Sequence, residues 1–134
     1  YPYTLEDGKQ WLLQNIGITP VINFVIEVNG NFAGSIGMVP QTDVYRCNAE
    51  IGYWLGEPFW GKGIATQAVA LIEDHIWQKY PNVHRIYATT YEHNKASMQV
   101  LTKNGFALEC IHKEGVIKNG QLLDEYMWVK FRNT

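Results

Sequence analysis

Two Asn-Gly pairs constrain this chain more than any other feature. Asn29-Gly30 separates "VINFVIEV" from "NFAGSIGMV", and Asn119-Gly120 separates "FALECIHKEGVI" from "LLDEYMWVKF". Both residues of such a pair accept positive φ, so each predicts a tight turn between antiparallel strands. Between the hairpins the pattern changes. "AEIGYWLG", 49 to 56, reads as a strand. Residues 63 to 80 then carry Ile64, Ala68, Leu71, Ile72 and Ile76 at helical spacing, and Pro81 closes the helix. "VHRIYATTY", 83 to 91, is a further strand, and a shorter helix over 94 to 104 ends at Gly105. A helix between two strands is the crossover that a parallel pair requires. The expected fold class is α/β (α+β): a mixed, mostly antiparallel sheet flanked by helices.

Residues 4 to 16 read as a short amphipathic helix that buries Leu5, Trp11, Leu12 and Ile16, with Thr4 and Asp7 as a variant capping box. The chain opens on Tyr1-Pro2-Tyr3 without methionine, so the expectation is that an N-terminal piece carrying an edge strand is missing. The 134 residues show no repeat, low-complexity tract or internal linker, which predicts a single domain over 1–134.

Thirteen acidic and eleven basic residues leave a formal charge of -2, without the basic stripe of a nucleic-acid binder. Cys47 and Cys110 lie far apart with no Cys-x-x-Cys spacing. That argues against a disulfide framework or zinc site and for a reducing, cytoplasmic setting. No apolar run approaches the ~20 residues of a membrane span.

Gly61-Lys62-Gly63 stands directly before a helix that needs no glycine. A helix N-terminus carries unpaired N–H groups and about half a positive charge, and glycines let a phosphate reach them. Gly61, Lys62, Gly63, Ile64, Ala65 and Thr66 form a candidate cradle. The bland alternative is a sharp strand-to-helix turn, and these residues alone do not decide. The spacing is not that of a Walker A loop, and Thr66 stands where a dinucleotide fingerprint needs its third glycine. In "NKASMQVLTKNGF", Asn94 reads first as a helix cap, Ser97 falls in the first turn, and Lys103 complements the helix C-terminus.

Taken together, the two segments resemble the GNAT superfamily of acyl-CoA N-acyltransferases, over roughly residues 20 to 131. The family's phosphate loop reads Arg/Gln-x-x-Gly-x-Gly/Ala. Trp60-Gly61-Lys62-Gly63-Ile64-Ala65 matches it except at the first position. "IGYWLGEPFWGKGIATQAV" followed by N-x-x-S-x-x-x-L-x-K-x-G-F is most similar to the RimJ/RimL-like branch of ribosomal-protein N-terminal acetyltransferases. The resemblance implies acetyl-CoA as cosubstrate, its pyrophosphate on the glycine turn. It also implies that the strand of Glu50 to Leu55 splays from the strand ending near Tyr91, freeing the backbone of Tyr53, Trp54 and Leu55 for the pantetheine arm. Ile51, Tyr53 and Leu55 then share one face, and Glu50, Gly52 and Trp54 the other.

Acetyl transfer needs a neutral amine: a lysine-type amine, pKa ~10.4, is almost wholly protonated at neutral pH, while an α-amine, ~7.7–8.0, is partly free already and a base helps it less. The resemblance implies Glu50 as that base, against the alternative of a plain strand residue. Glu114, His112 and Tyr91 are weaker candidates. The acid that N-terminal acetyltransferases carry on the strand after Phe106 falls on Val116 here. The tyrosine that many GNATs use as acid, seven residues after the motif asparagine, is Leu101. The branch resemblance implies Ser97 instead, as a hydrogen-bond donor to the departing sulfur, with Asn94 orienting the cofactor and a backbone N–H of the Glu50 strand holding the oxyanion. Direct transfer in a ternary complex is expected rather than a covalent route through Cys47 or Cys110. No metal is called for. The acceptor is an amine, first a peptide α-amine, with a polyamine or other small amine open, and a homodimer is possible. The competing classes are a non-catalytic acyl-CoA-binding or sensing domain on the same fold and a protein-interaction module presenting some of the five tryptophans and eight tyrosines.

Overall fold

The computed structural model describes residues 22–133, so the helix expected over 4 to 16, with its Thr4 and Asp7 cap, lies outside the described residues. The strands are β1 (Ile22–Val28), β2 (Asn31–Pro40), β3 (Asn48–Leu55), β4 (Arg85–Tyr91), β5 (Ala107–Lys118) and β6 (Gln121–Phe131). The helices are α1 (Ile64–Lys79) and α2 (Lys95–Lys103). The strands form one sheet in the order β1-β2-β3-β4-β6-β5. Both hairpins turn where the sequence places them. Asn29 and Gly30 have φ of 53° and 81°, and Asn119 and Gly120 have 51° and 76°. Both central residues of each turn are thus left-handed, which matches the strand twist.

The crossover through α1 makes β3 and β4 parallel, while every other neighbouring pair is antiparallel. Only Asn48, Ala49 and Glu50 face β4, opposite Arg85, Ile86 and Tyr87. Beyond Glu50 the strands part. β3 stays bound to β2 as far as Leu55, and β4 to β6 as far as Tyr91. The splay expected from the resemblance is therefore present.

Both helices cover one face of the sheet. Ile36, Met38, Ala49, Ile51, Ile86, Ala88 and Trp128 from the strands meet Ala68, Val69, Ile72 and Ile76 of α1 and Met98 and Leu101 of α2. The α1 stripe differs from the expected one, for Leu71 is 71% exposed and Val69 and Glu73 are buried instead. At about 100° per residue, 68, 69, 72, 73 and 76 form one arc, and 71 falls on its far side. The buried Glu73 carboxylate is offset by an ion pair with Lys130 of β6 and by the Trp77 indole N–H at 3.2 Å. Lys130 also donates to the Asn104 carbonyl at 2.8 Å, tying both helices to β6.

α2 stops as its sequence requires. Gly105 has φ of 85°, its N–H donates to the Thr102 carbonyl, and that of Phe106 donates to Leu101. This is a Schellman ending. The strand expected from residue 83 begins at Arg85, because the N–H groups of His84 and Arg85 both turn to the Cys47 carbonyl.

Arg132 closes the C-terminal side. Its guanidinium donates to the carbonyls of Trp77, Tyr80 and Val83 at 2.6–3.0 Å and lies 4.7 Å from the Trp77 ring centroid. Arg132→Ala leaves these carbonyls short of a charged donor and should cost about 2–3 kcal/mol. Urea unfolding should show a lower midpoint at unchanged slope.

Candidate functional site

A cleft of about 600 Å³ opens between the free end of β3 and the segment that follows β4. Tyr53, Trp54 and Leu55 of β3 form one side, the turn from Phe59 to Thr66 runs along one end, and residues 93 to 97 with Gln99, Val100 and Lys103 form the other side. The N-termini of α1 and α2 therefore open on the same space. Two positive helix ends meet where an anionic ligand can lie.

The glycine turn answers both readings raised by its sequence. Gly61 and Gly63 have φ of 73° and 76°, a region that glycine alone enters without cost, so the turn needs them. A Cβ at either would meet nothing within 4 Å, so the space above them is also open. Gly63 caps α1 and brings no side-chain acceptor for the first-turn N–H groups. The Trp60 indole N–H donates to the Leu55 carbonyl at 2.6 Å, bracing the turn against the end of β3. That carbonyl is already engaged. Gly61, Gly63, Ile64, Ala65 and Thr66 line the cleft with Trp60, whereas Lys62 is exposed and outside the lining. Lys103 is the reverse case: it lines the cleft instead of serving only the helix dipole. Its spacing from Ala96, Gln99 and Val100 on one helix face is the signal that would have found it.

Asn94 is a cap in this structure, its side-chain oxygen accepting the Ser97 N–H at 3.2 Å. That bond fixes the first turn of α2 and thereby Ser97. The Tyr53 hydroxyl lies 2.6 Å from Ser97 Oγ and 3.2 Å from the Ser97 carbonyl oxygen. Burial pushes the Tyr53 phenol up to about 12, with the Ser97 hydrogen bond opposing the shift. Tyr53 is thus a neutral hydroxyl at any ordinary pH. The strand alternates as expected: Ile51 and Tyr53 face the helices, while the Trp54 ring is buried on the other side, 6.0 Å from Phe32 between centroids. Trp54 and Leu55 both line the cleft.

Glu50 lies outside the cleft lining, on the face of the sheet opposite the helices and at the last residue pair before the strands part. Burial first, and the nearby Glu125 carboxylate second, raise its pKa above the usual value of 4.5. Tyr87 beside it is raised by burial and by Glu50 in turn. On that face Glu125 also pairs with His112, whose Nδ1 is 3.0 Å from its Oε1. The Glu50–Glu125 proximity was not legible in the sequence, since the two meet only through the order β3-β4-β6. Among the weaker candidates, Tyr91 stacks on His93 with centroids 6.2 Å apart. Glu114 is a bulge residue whose N–H donates to Asp124. Val116 sits opposite Leu123. Cys47 and Cys110 are free; Cys110 Sγ is 3.6 Å from His112 Nε2 and is outside the cleft lining. Among the described residues there is no group of three or more His, Cys, Asp or Glu suited to a metal ion, and no helix is long and apolar enough to cross a membrane.

A mixed sheet parted between its central parallel strands, with a glycine turn and two helix N-termini at the opening, is the arrangement expected above from the resemblance. The chain belongs to the GNAT acetyltransferase family: the model of the Acetyltransferase (GNAT) domain matches residues 1–107. It is similar to the probable N-acetyltransferase YjcK of Bacillus subtilis, 43% identical over 72 residues, covering 54% of this chain and 39% of that protein. It is 30% identical over 98 residues to the spermidine N(1)-acetyltransferase of Escherichia coli, covering 73% and 52%. With the ribosomal-protein-serine acetyltransferase of E. coli it shares 36% over 92 residues, covering 67% and 48%. The chain thus spans about half the length of the curated relatives it matches. Among solved structures, Mycobacterium smegmatis RimJ in complex with CoA-disulfide superposes with a TM-score of 0.77 at 31% identity, covering 91% of this chain and 58% of that one.

Because its folded pKa is raised, Glu50 holds its proton more tightly in the folded than in the unfolded chain. Its effect on stability is therefore neutral below the ordinary value, becomes unfavourable as pH rises above it, and levels off above the folded value. Glu50→Gln removes that penalty. The variant's melting temperature relative to the unaltered protein should rise as pH increases above the ordinary value of 4.5, and thermal melts over a pH series check it.

Proposed function

We propose that this chain carries the catalytic core of an N-acetyltransferase that moves the acetyl group of acetyl-CoA to a primary amine, by direct transfer in a ternary complex. The observation that carries the reading is the cleft that opens where β3 and β4 part, with the glycine turn at its end. In this reading the pyrophosphate lies on the N–H groups from Gly61 to Thr66, with Lys103 as the nearby cation. The pantetheine runs along Tyr53, Trp54 and Leu55, standing in for the ladder that β4 no longer provides. The thioester then sits near Ser97 at the start of α2. The CoA carried by the RimJ structure supports this cosubstrate.

The amine approaches from the face of Glu50, at the point of parting. Glu50 takes its proton, directly or through one water, and a raised pKa brings the carboxylate closer to that of the amine it serves. Attack gives a tetrahedral oxyanion, held by a β3 backbone N–H. The C–S bond then breaks and Ser97 donates a hydrogen bond to the sulfur. The acceptor class is a primary amine. A peptide α-amine comes first, supported by the ribosomal-protein relative, and a polyamine second, supported by the spermidine relative.

Calorimetry with acetyl-CoA should show micromolar binding, absent with ATP. Gly63→Ala should weaken it at least tenfold, since the methyl group occupies the approach to the N–H groups and the positive φ strains the turn. Glu50→Gln and Ser97→Ala should keep binding while losing about 10²–10³ in turnover on an α-amine peptide or spermidine. Binding without turnover in the unaltered protein on either amine would favour a sensing domain instead.

A further inference from the structure

The Tyr53 hydroxyl lies between two acceptors of one residue, 2.6 Å from Ser97 Oγ and 3.2 Å from the Ser97 carbonyl oxygen. Two proton arrangements satisfy this geometry. In the first, Ser97 donates to Tyr53 and Tyr53 donates to the Ser97 carbonyl, so neither proton is offered to the cleft. In the second, Tyr53 donates to Ser97 Oγ, and the Ser97 proton is left to point into the cleft. We propose that Tyr53 is a positioning residue that switches Ser97 between these arrangements, so that Ser97 donates to the cofactor sulfur only as negative charge appears there. The inference rests on the cofactor reading above.

The physical reason is the difference between the two forms of the sulfur. A thioester sulfur is a weak acceptor, so the closed first arrangement prevails in the ground state. A thiolate forms a charge-assisted hydrogen bond, roughly twice as strong as a neutral one. It draws the Ser97 proton outward, and Tyr53 follows by turning its own proton from the carbonyl to Oγ. Each bond in such a chain polarises the next. The stabilisation is therefore made mainly in the transition state, where it raises rate rather than ground-state binding.

The surrounding structure holds both partners to this task. Tyr53 is anchored on β3 by the β2 ladder, opposite Ile36. Ser97 is anchored by the Asn94 cap on its own N–H. The protons shift within hydrogen bonds and do not leave. The phenol, pushed up to about 12, is a far weaker acid than a thiol at ~8.5, so it stays protonated. The C–S electron pair remains on sulfur as thiolate, which is protonated later by solvent, while the amine proton goes to Glu50.

The test reads the bound cofactor and needs no acceptor. The pKa of the thiol of bound CoA is measured from thiolate ultraviolet absorbance across a pH series, with calorimetry confirming occupancy. In the unaltered protein it should lie at least one unit below the ordinary ~8.5. Tyr53→Phe should raise it by at least half a unit with CoA affinity changed less than threefold. Ser97→Ala should raise it further, and the double variant should match Ser97→Ala alone. Replacing Tyr53 with 3-fluorotyrosine, a stronger donor of nearly the same shape, should lower it. A structural role for Tyr53 would not follow the donor strength. An unshifted thiol in the unaltered protein overturns the proposal, as does a shift indifferent to both changes at Tyr53. Failure of CoA to bind at all overturns the cofactor reading, and this inference with it.

Discussion

The molecule depends on a ladder that stops. β3 and β4 share only the pairs Asn48–Arg85, Ala49–Ile86 and Glu50–Tyr87 before they separate. An interrupted parallel pair is costly in a buried sheet unless each strand keeps a partner on its other side. Here β2 holds β3 and β6 holds β4 through their remaining lengths. The sheet is in effect two three-stranded ribbons, each closed by an Asn-Gly hairpin and joined at one end. The cleft lies beside the freed end of β3, closed on its far side by the first turns of α2.

Filling that cleft with charge-compatible groups falls to helix termini. The chain is acidic overall, yet the N-termini of α1 and α2 both open on the cleft with Lys103 beside them. Backbone dipoles supply local positive potential without a basic stripe, which is why net charge says nothing about the ligand. The two ends are finished differently. α2 uses the Asn94 side chain as its cap, which orders Ser97 against Tyr53. α1 has Gly63 as its cap, with no side-chain acceptor, so its first N–H groups stay available. On the opposite face, burial and Glu125 raise the Glu50 pKa at the point where the strands diverge.

The fold was legible wherever local chemistry and tertiary need agree. The hairpin turns, the Gly105 helix stop and the crossover helix each follow from residues whose backbone preferences are strong. The glycine turn and Ser97 were legible as a pattern. The expected stripe fails at Leu71, because hydrophobicity alone puts the apolar residue inside. The helix instead buries the carboxylate that Lys130 pairs from a distant strand. Lys103 reads in the sequence as a dipole partner, although it shares a helix face with Ala96, Gln99 and Val100, which line the cleft with it. Lys62, adjacent to both glycines in sequence, is exposed and outside the cleft lining.

By itself, then, the sequence determined the elements, their turns and the family-like spacing of the glycine turn from Asn94 and Ser97, since these are set within a few residues of chain. Only the tertiary structure decided which groups meet. Tyr53 with Ser97 spans 44 positions, Arg132 with Trp77 spans 55, and Glu50 reaches Glu125 across β4. The physical reason is that periodicity specifies which face a side chain takes, while its partner depends on strand order and register. Those are chosen by the packing of the whole sheet against its helices.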